Sequence, residues 1–329
     1  MIITQTPLRI GLLGGGTDLP SYYRQHGGRV VNCALDKYIY VVVKERFDDD
    51  IYVNYSKKEI VSRVGDLEHE LVREAMLATG VSSGVEITTL ADIPSSGSGL
   101  GSSSAVTVGL LQALFAYRGQ QVTARELAET ACEIEIERCG KPIGKQDQYI
   151  TAYGGIRDIR FGPGDQVIVD EINLTADERR RLQEQLMMFY TGITRSSTAI
   201  LSEQNANVEM RQAELDLLRD LATFAADRLR SGDIEAIGGA IRESWEVKRK
   251  LASGVSSGII DVAVGKALAA GASGVKLSGA GGGGFLLVIC PVERQREVRA
   301  SLVGMREFPI RLDRLGSRVM FNAQRDIWC

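Results

Sequence analysis

The sequence has little of what nucleophilic, redox or zinc chemistry requires. Only two histidines, His26 and His69, occur in 329 residues, and this argues against a histidine-based nucleophilic triad. The five cysteines are scattered, without CxxC spacing or neighbouring histidines, so neither a zinc site nor a disulfide framework is predicted. We therefore expect reduced thiols in a cytoplasmic protein, with both histidines at the surface.

Nearly balanced charge and the lack of long apolar runs narrow the choice of partners. The net charge of −3 lacks the basic excess typical of proteins that bind nucleic acid or anionic membranes. No window of about 18 uncharged apolar residues occurs, so no membrane span is predicted. The opening MIITQTPLRI lacks the features of a secretory signal peptide. We expect small-molecule partners, no nucleic acid and no membrane.

Glycine, by contrast, is abundant and concentrated in three segments. Residues 94–105, PSSGSGLGSSSA, lie between a predicted strand at 85–89 and an apolar run. In that run Val106, Leu110 and Leu114 are spaced by four, which predicts an amphipathic helix. Unpaired N–H groups at a helix start, reached through glycines, bind phosphate. A flexible linker, the alternative, is not expected between a strand and an apolar helix.

This loop matches neither of the two commonest nucleotide motifs. No Lys or Arg lies between Pro94 and Arg118, which excludes a Walker loop, and Gly97 and Gly99 supply only two of the three glycines of a dinucleotide fingerprint. The pattern PxSGSGLGSSSA instead resembles the second motif of the GHMP kinases. The resemblance implies that ATP phosphates are bound by Pro94, Ser96, Gly97, Ser98, Gly99, Leu100, Gly101, Ser102, Ser103 and Ser104.

The second glycine-rich segment follows the first predicted strand, at 3–13. Taken alone, GGGTD is a tight turn with Asp18 as the N-cap of a short helix at 19–25. TPLRIGLLGGGTDLP also resembles the first GHMP motif, which implies that Arg9 is catalytic and that the sugar is bound by Gly15, Gly16, Thr17 and Asp18. Galactokinases have Glu and His where Gly15 and Gly16 stand, and the GGGTD form resembles the heptose-phosphate and fucose kinase branch.

The stretch CGKPIGKQDQ, residues 139–148, carries the candidate base. An Asp at a helix start is by default an N-cap. The stretch resembles the GxPxGxxDQ of galactokinases, and this implies that Asp147 faces the acceptor hydroxyl. Glu135, twelve residues earlier, matches the magnesium-coordinating carboxylate of that family, with Ser103 as the second ligand. Glu137 stays open as an alternative to Glu135.

The third glycine-rich segment, KLSGAGGGGF, lies between two apolar strands. Four glycines in a row can form a tight hairpin. The segment also resembles the third GHMP motif, which implies that it folds under the phosphate loop and shapes the ligand site through Gly279, Gly281 and Gly282.

Periodic runs and capping boxes predict the other elements. Thr123 with Glu126 and Thr175 with Glu178 each open a helix, the first reaching about residue 137. The charged faces of the long C-terminal helices are expected to be solvated. The remaining predictions are strands at 30–34, 39–44, 51–55 and 186–192, and helices at 70–79, 208–231, 234–250 and 259–270.

Together the three motifs imply an α+β GHMP kinase fold. It would consist of a domain similar to ribosomal protein S5 domain 2 at 1–181 and a ferredoxin-like domain at 182–329, with the active site between them. The resemblance implies that ATP, with Mg²⁺, phosphorylates the anomeric hydroxyl of a heptose 7-phosphate, and it leaves a homodimer possible. A fucose or galactose-type sugar 1-kinase, a non-catalytic sugar sensor and a nucleotide-dependent oxidoreductase are the alternatives.

A sugar phosphate needs a cation for its distal phosphate, which carries about two negative charges near neutral pH. Arg195 is the best candidate because it follows a predicted strand, because Ser196, Ser197 and Thr198 come next, and because a guanidinium binds phosphate in a bidentate way. Lys248 and Arg249 come second, since charges on a long helix are more often solvated.

Overall fold

Two β-sheets, one of eight strands and one of four, carry the fold. The structure is a computed structural model that describes residues 1–93, 97–194 and 197–323. The larger sheet contains β1 (Ile2–Leu13), β2 (Gly28–Glu45), β3 (Ile51–Asn54), β4 (Lys58–Val61), β5 (Val85–Ala91), β6 (Ile156–Phe161), β7 (Val167–Glu171) and β12 (Arg318–Asn322). The smaller sheet contains β8 (Leu186–Tyr190), β9 (Gly274–Leu277), β10 (Phe285–Ile289) and β11 (Arg306–Glu307).

The strand order explains how the chain passes between the two sheets. The larger sheet runs β12-β1-β2-β5-β3-β4, with β6 paired to β2 and β7 to β6, and the smaller one runs β11-β8-β10-β9. The last strand, β12, therefore returns to pair with β1. The predicted domain boundary at 181/182 falls in the helix that joins the two sheets, Ala176–Gln185, and it stays a prediction.

The helices pack on the sheets, and several of them contribute residues to the candidate site described below. They are α1 (Pro20–His26), α2 (Glu70–Thr79), α3 (Ser102–Tyr117), α4 (Ala124–Cys132), α5 (Gln146–Tyr153), α6 (Ala176–Gln185), α7 (Ser197–Ala206), α8 (Gln212–Arg230), α9 (Ala236–Lys248), α10 (Gly258–Ala269) and α11 (Gln295–Ser301). Both predicted capping boxes are present, at Thr123 and Thr175. Across residues 1–93, 97–194 and 197–323, none of these helices has the length and apolar character to cross a membrane.

Four predicted elements differ from the structure. The two strands at 30–34 and 39–44 are one strand, β2, because a register shift against β1, from Pro7↔Tyr38 to Arg9↔Ala34, keeps the backbone extended between them. The helix opened by Thr123 changes to a π-helical turn at Glu133–Arg138. The helix predicted at 208–231 begins four residues later, after a turn.

Two further predictions, the amphipathic character of α3 and the surface position of His69, differ from the burial that the structure shows. Helix α3 is not amphipathic: it packs on β1 and β2 and also against α2, α4 and α5, so it is buried on most of its surface. His69 is half-buried rather than a surface residue. Its Nδ1 accepts the N–H of Val72 and caps α2, and burial lowers the pKa of the imidazole.

Candidate active site

The three glycine-rich segments and the start of α5 meet at one cleft. Its volume is about 760 Å³, within the range of small-molecule sites. The first half of the chain contributes β1, the turn at 15–18, the phosphate loop and residues 141–147, and the second half contributes residues near α7, the end of α9 and the third glycine-rich segment. The cleft therefore lies where the two halves of the chain meet.

The phosphate loop has the backbone that its glycines predict. Gly97, Gly99 and Gly101 have φ of 71°, 71° and 75°, a left-handed conformation that strains other residues. Gly101 is the N-cap of α3, so the first N–H groups of this helix are free for an anion beside the cleft. Pro94 and Ser96, predicted to bind phosphate, lie outside the described residues.

The third glycine-rich segment packs under this loop and is not an isolated hairpin. An ideal Cβ on Gly279 would lie 2.7 Å from Cα of Gly99, and one on Gly284 would lie 2.5 Å from the carbonyl oxygen of Ser98. Only glycines allow the two backbones to come this close. Gly279 and Gly281 line the cleft, whereas the N–H of Gly282 donates to the Val255 carbonyl oxygen.

An ion pair between Arg9 and Asp147 forms one wall of the cleft. Nε of Arg9 donates to Oδ1 of Asp147 at 2.6 Å and Nη2 donates to Oδ2 at 2.5 Å, while Nη1 donates to the Gly99 carbonyl oxygen at 2.6 Å. Arg9 is 5% exposed, whereas the side chain of Asp147 is 22% exposed toward the cleft. The alternative reading of Asp147 as a helix cap is wrong, because Lys145 is the N-cap of α5 and no side chain caps it.

The carboxylate of Asp18 is almost fully buried at the edge of the cleft. It is 2% exposed and accepts three hydrogen bonds, from the N–H groups of Gly16 and Gln146 and from Nε2 of Gln146. Asp18 is therefore not the N-cap of α1, which is Leu19. Burial raises the pKa of Asp18, and the charge of Asp147 raises it further. Thus the carboxylate is fixed in place beside the ion pair.

The four residues predicted to bind the sugar do not all reach the cleft. Gly16 and Asp18 line it. Thr17 is buried in the turn itself, where its hydroxyl donates to the Gly14 and Arg29 carbonyl oxygens. Thr17 therefore stabilises the turn. Gly15 lies next to Lys248, a residue described below.

Ser103 and Glu135, the two predicted metal ligands, are in contact with each other. Oγ of Ser103 donates to Oε1 of Glu135 at 2.7 Å, and Nε2 of Gln148 donates to Oε2 at 2.7 Å. Burial raises the pKa of the Glu135 carboxyl. Glu135 and Glu137 are the two alternatives for the metal-coordinating carboxylate. Glu135 is buried beside Ser103, whereas Glu137 is exposed. Nζ of Lys141 lies 3.8 Å from Oε1 of Glu135.

Lys248, the second candidate for the distal phosphate, lines the cleft and is not solvated as charges on a long helix usually are. It is 6% exposed, and its Nζ donates to the Gly279 carbonyl oxygen at 2.7 Å. Burial lowers the pKa of Lys248 to about 8. The sequence does contain a signal for this burial, because Ile241, Ser244 and Trp245 lie seven, four and three residues earlier on α9 and are all buried.

A second cavity adjoins the phosphate loop. Its volume is about 500 Å³, and it shares Ser102 and Ser103 with the first cleft. Its other walls are largely apolar or aromatic and come from β2, β5, α2 and the segments beside them: Ile39, Tyr55, His69, Leu71, Leu90, Ile93 and Val106.

Comparison with known families identifies this arrangement. The model of the GHMP kinases N terminal domain matches residues 54–155, and the model of the GHMP kinases C terminal matches residues 225–303; together they cover more than half of the chain. The chain belongs to the GHMP kinases. The predicted α+β GHMP kinase fold is confirmed, and the enzyme is an ATP-dependent sugar kinase.

Individual relatives in this family are sugar kinases. The chain is 29% identical over 317 residues to the D-glycero-alpha-D-manno-heptose 7-phosphate kinase of Campylobacter jejuni, covering 91% of this chain and 92% of that one. It is 27% identical to the L-fucokinase/L-fucose-1-P guanylyltransferase of Bacteroides fragilis, covering 87% of this chain and 34% of that one. A D-glycero-D-manno-heptose 1-phosphate kinase from Bacteroides thetaiotaomicron superposes with a TM-score of 0.83 at 25% identity, covering 98% and 100% of the two chains.

Arg195, the first choice for a distal phosphate, lies outside the described residues of this GHMP kinase. Its neighbours Thr194, Ser197 and Thr198 line the cleft. The same side of the cleft contains Gln204 of α7, a residue that no sequence pattern singles out.

Proposed function

We propose that this kinase transfers the γ-phosphoryl group of ATP to the anomeric hydroxyl of D-glycero-D-manno-heptose 7-phosphate, giving the 1,7-bisphosphate. The observation that carries the proposal is the Arg9–Asp147 ion pair beside the start of α3. It provides a proton acceptor and a cation at the position where the phosphate loop ends. The relative from Campylobacter jejuni, which carries this substrate in its name, supports the choice of sugar.

The nucleotide would span the two adjoining cavities. The N–H groups of the glycine-rich loop and of the first turn of α3 would hold its phosphates, since a helix N-terminus stabilises negative charge. The adenine would lie against the apolar walls of the second cavity, which meets the cleft at Ser102 and Ser103. This division uses both cavities and leaves the Asp18 side of the cleft for the sugar.

Mg²⁺ would be held by Ser103 and Glu135 together with nucleotide phosphates. The donor set fits, since Mg²⁺ prefers oxygen ligands and usually binds one or two protein groups. Glu135 is a buried carboxylate whose orientation is fixed by Gln148. Across the described ranges 1–93, 97–194 and 197–323, no group of three or more His, Cys, Asp or Glu residues could hold a metal by itself. When bound, the ion supplies charge neutralisation at the phosphates.

Phosphoryl transfer depends on alignment and charge neutralisation more than on covalent chemistry. Asp147 would accept the proton of the acceptor hydroxyl. Arg9 would orient that carboxylate through its two hydrogen bonds, and its own charge would offset the charge of the transferring group. Asp18, with its carboxylate fixed by Gly16 and Gln146, would orient sugar hydroxyls in the cleft.

A fucose 1-kinase is the second candidate, supported by the 27% identity to the fucokinase of Bacteroides fragilis. The two functions differ in the charge of the acceptor. A panel of heptose 7-phosphate, heptose, fucose and galactose with ATP, with products assigned by ³¹P NMR, tests the proposal. Selective formation of the 1,7-bisphosphate is expected, and selective phosphorylation of fucose would replace the proposal with the second candidate.

A further inference from the structure

Lys248 is a buried cation with spare hydrogen-bonding capacity. An ammonium group has three N–H donors, and the Gly279 carbonyl oxygen accepts one of them. Within the part of the chain that the structure describes, no carboxylate oxygen lies within 4.0 Å of its Nζ. Lysine is almost never this buried without a partner, so the residue is placed for an occupant of the cleft.

The neighbouring charges compensate Lys248 only in part. Arg9 and Asp147 are paired with each other, and the carboxylate of Asp18 is occupied by amide donors. Burial accordingly disfavours the charged form of Lys248, and the charge of Arg9 adds to this effect, while Asp18 and Asp147 oppose it. An anionic ligand would supply the missing compensation.

The side chain of Gln204 provides a second unused hydrogen-bond donor on the same side of the cleft as Lys248. Gln204 is 4% exposed, and its Nε2 has no hydrogen-bond partner among the described residues. An ideal Cβ on Gly15 would lie 3.3 Å from Nζ of Lys248, and one on Gly16 would lie 4.0 Å from Oε1 of Gln204. The two side chains therefore border consecutive glycines of the turn that ends at Asp18.

We propose that Lys248 and Gln204 bind the phosphate group that the acceptor sugar already carries, and so select phosphorylated sugars. The inference rests on the proposed function to the extent that the cleft beside Asp18 holds the acceptor. A phosphate has several acceptor oxygens, so one group can use both donors at once. The transferred phosphoryl group of ATP offers the same chemistry. Lys248 is assigned to the acceptor because it borders the turn at 15–18, next to Asp18.

The test compares acceptors that differ only in one phosphate: heptose 7-phosphate with heptose, and mannose 6-phosphate with mannose. For Lys248→Met we expect kcat/KM with a phosphorylated acceptor to fall about ten- to hundredfold, as for the loss of a charge-assisted hydrogen bond. With the unphosphorylated partner, and for the KM of ATP, the change stays within about twofold. Lys248→Arg retains part of the selectivity. Lys250→Met is the matched control, since Lys250 is exposed two residues further along.

Gln204→Leu provides an independent variant, because it removes a donor that the fold does not use. We expect about a three- to tenfold loss of kcat/KM with phosphorylated acceptors alone.

For Lys248→Met, an equal loss of kcat/KM on both acceptors of a pair would assign Lys248 to the phosphoryl group of ATP. No loss on either acceptor would remove Lys248 from the site. Either result overturns this inference and leaves the heptose kinase proposal standing. If the wild-type enzyme prefers another sugar phosphate and Lys248→Met abolishes that preference, the inference is supported and the proposed substrate is overturned. Wild-type preference for uncharged sugars would overturn both.

Discussion

Arg9 and Asp147 are 138 positions apart in the chain and form a two-point ion pair, with Nε to Oδ1 at 2.6 Å and Nη2 to Oδ2 at 2.5 Å. Arg9 comes from the first strand and Asp147 from the first turn of α5. The third contact of the guanidinium, to the Gly99 carbonyl oxygen, ties the pair to the phosphate loop. The carboxylate of Asp147, the guanidinium of Arg9 and the phosphate loop are thus fixed relative to one another.

The first prediction concerns this pair. Asp147→Asn should fold and bind ATP, but its turnover should fall by about 10²–10⁴, the usual contribution of a positioned general base. The physical reason is that an amide cannot take the hydroxyl proton. The measurements are kcat by a coupled assay and binding of a non-hydrolysable ATP analogue by calorimetry. Asp220→Asn, an exposed carboxylate on α8, is the control, and near wild-type turnover of Asp147→Asn would rule out a base at this position.

The second prediction concerns Gly101. An ideal Cβ there would lie 3.0 Å from Cγ of Arg9 and 3.4 Å from Oδ2 of Asp147, so Gly101→Val should displace the ion pair and the first turn of α3. We expect loss of ATP-analogue affinity by at least about tenfold, with turnover lost as well. The measurements are calorimetric titration and kcat.

Gly119→Val is the matched control for Gly101→Val. Gly119 has φ of 70°, close to the 75° of Gly101, but no atom of the described residues lies within 4 Å of its ideal Cβ. Both variants therefore suffer the same backbone strain, and only one disturbs the site. Equal effects of the two variants on ATP binding would show that strain alone is responsible.

Most of the site near the nucleotide could be predicted because its residues lie in short continuous motifs. Asp147 and Arg9 each belong to such a motif, and Gly97, Gly99 and Gly101 need a left-handed backbone that a glycine-rich stretch indicates by itself. The capping boxes at Thr123 and Thr175 are equally local. Local patterns determine local conformation, so the backbone of the loop and the caps could be predicted from the residues alone, whereas the roles of Asp147 and Arg9 came from the resemblance to the GHMP kinases.

The side of the cleft around Gln204 and Lys248 could be predicted only in part, because it is assembled from distant helices. Gln204 of α7 reaches the cleft only through the packing of the second half of the chain, and no motif surrounds it. Lys248 shares the buried stripe of Ile241 and Trp245, but a lysine on such a stripe can extend to solvent at a helix end. Similarly, β2 is one strand because of its pairing with β1, which its own residues do not reveal.

The third prediction concerns the metal. Glu135→Gln should raise the Mg²⁺ concentration needed for ATP-analogue binding by about tenfold or more, because the buried site loses its only carboxylate ligand. The measurement is a calorimetric or fluorescence titration of Mg²⁺ at fixed analogue, which does not depend on turnover. Glu137→Gln, two residues away and exposed, is the control. The same Mg²⁺ dependence in both variants would remove Glu135 from the site.

The last prediction follows from the charge of Lys248. Its folded-state pKa is about 8, below the usual 10.4 of an unfolded chain. Between these values the unfolded chain binds more protons, so this group makes the free energy of unfolding rise with pH. Below pH 8 the ammonium is charged in both states and destabilises the fold. Lys248→Met should therefore be more stable than wild type at pH 6.5, by on the order of 2 kcal/mol after the lost bond to Gly279.

This advantage should shrink as pH rises from about 8 toward 10. Besides burial, the charged groups that act on Lys248 are Asp18, Arg9 and Asp147, and Lys276 on β9 interacts with it as well. Urea unfolding of the ligand-free protein at pH 6.5 and 9.5 measures the difference, with Lys250→Met as the control. A difference that is the same at both pH values, or a less stable Lys248→Met at pH 6.5, would mean that the ammonium is compensated in the folded protein. Such a result would also weaken its assignment as an anion-binding group, since the missing counter-charge is what an acceptor phosphate would provide.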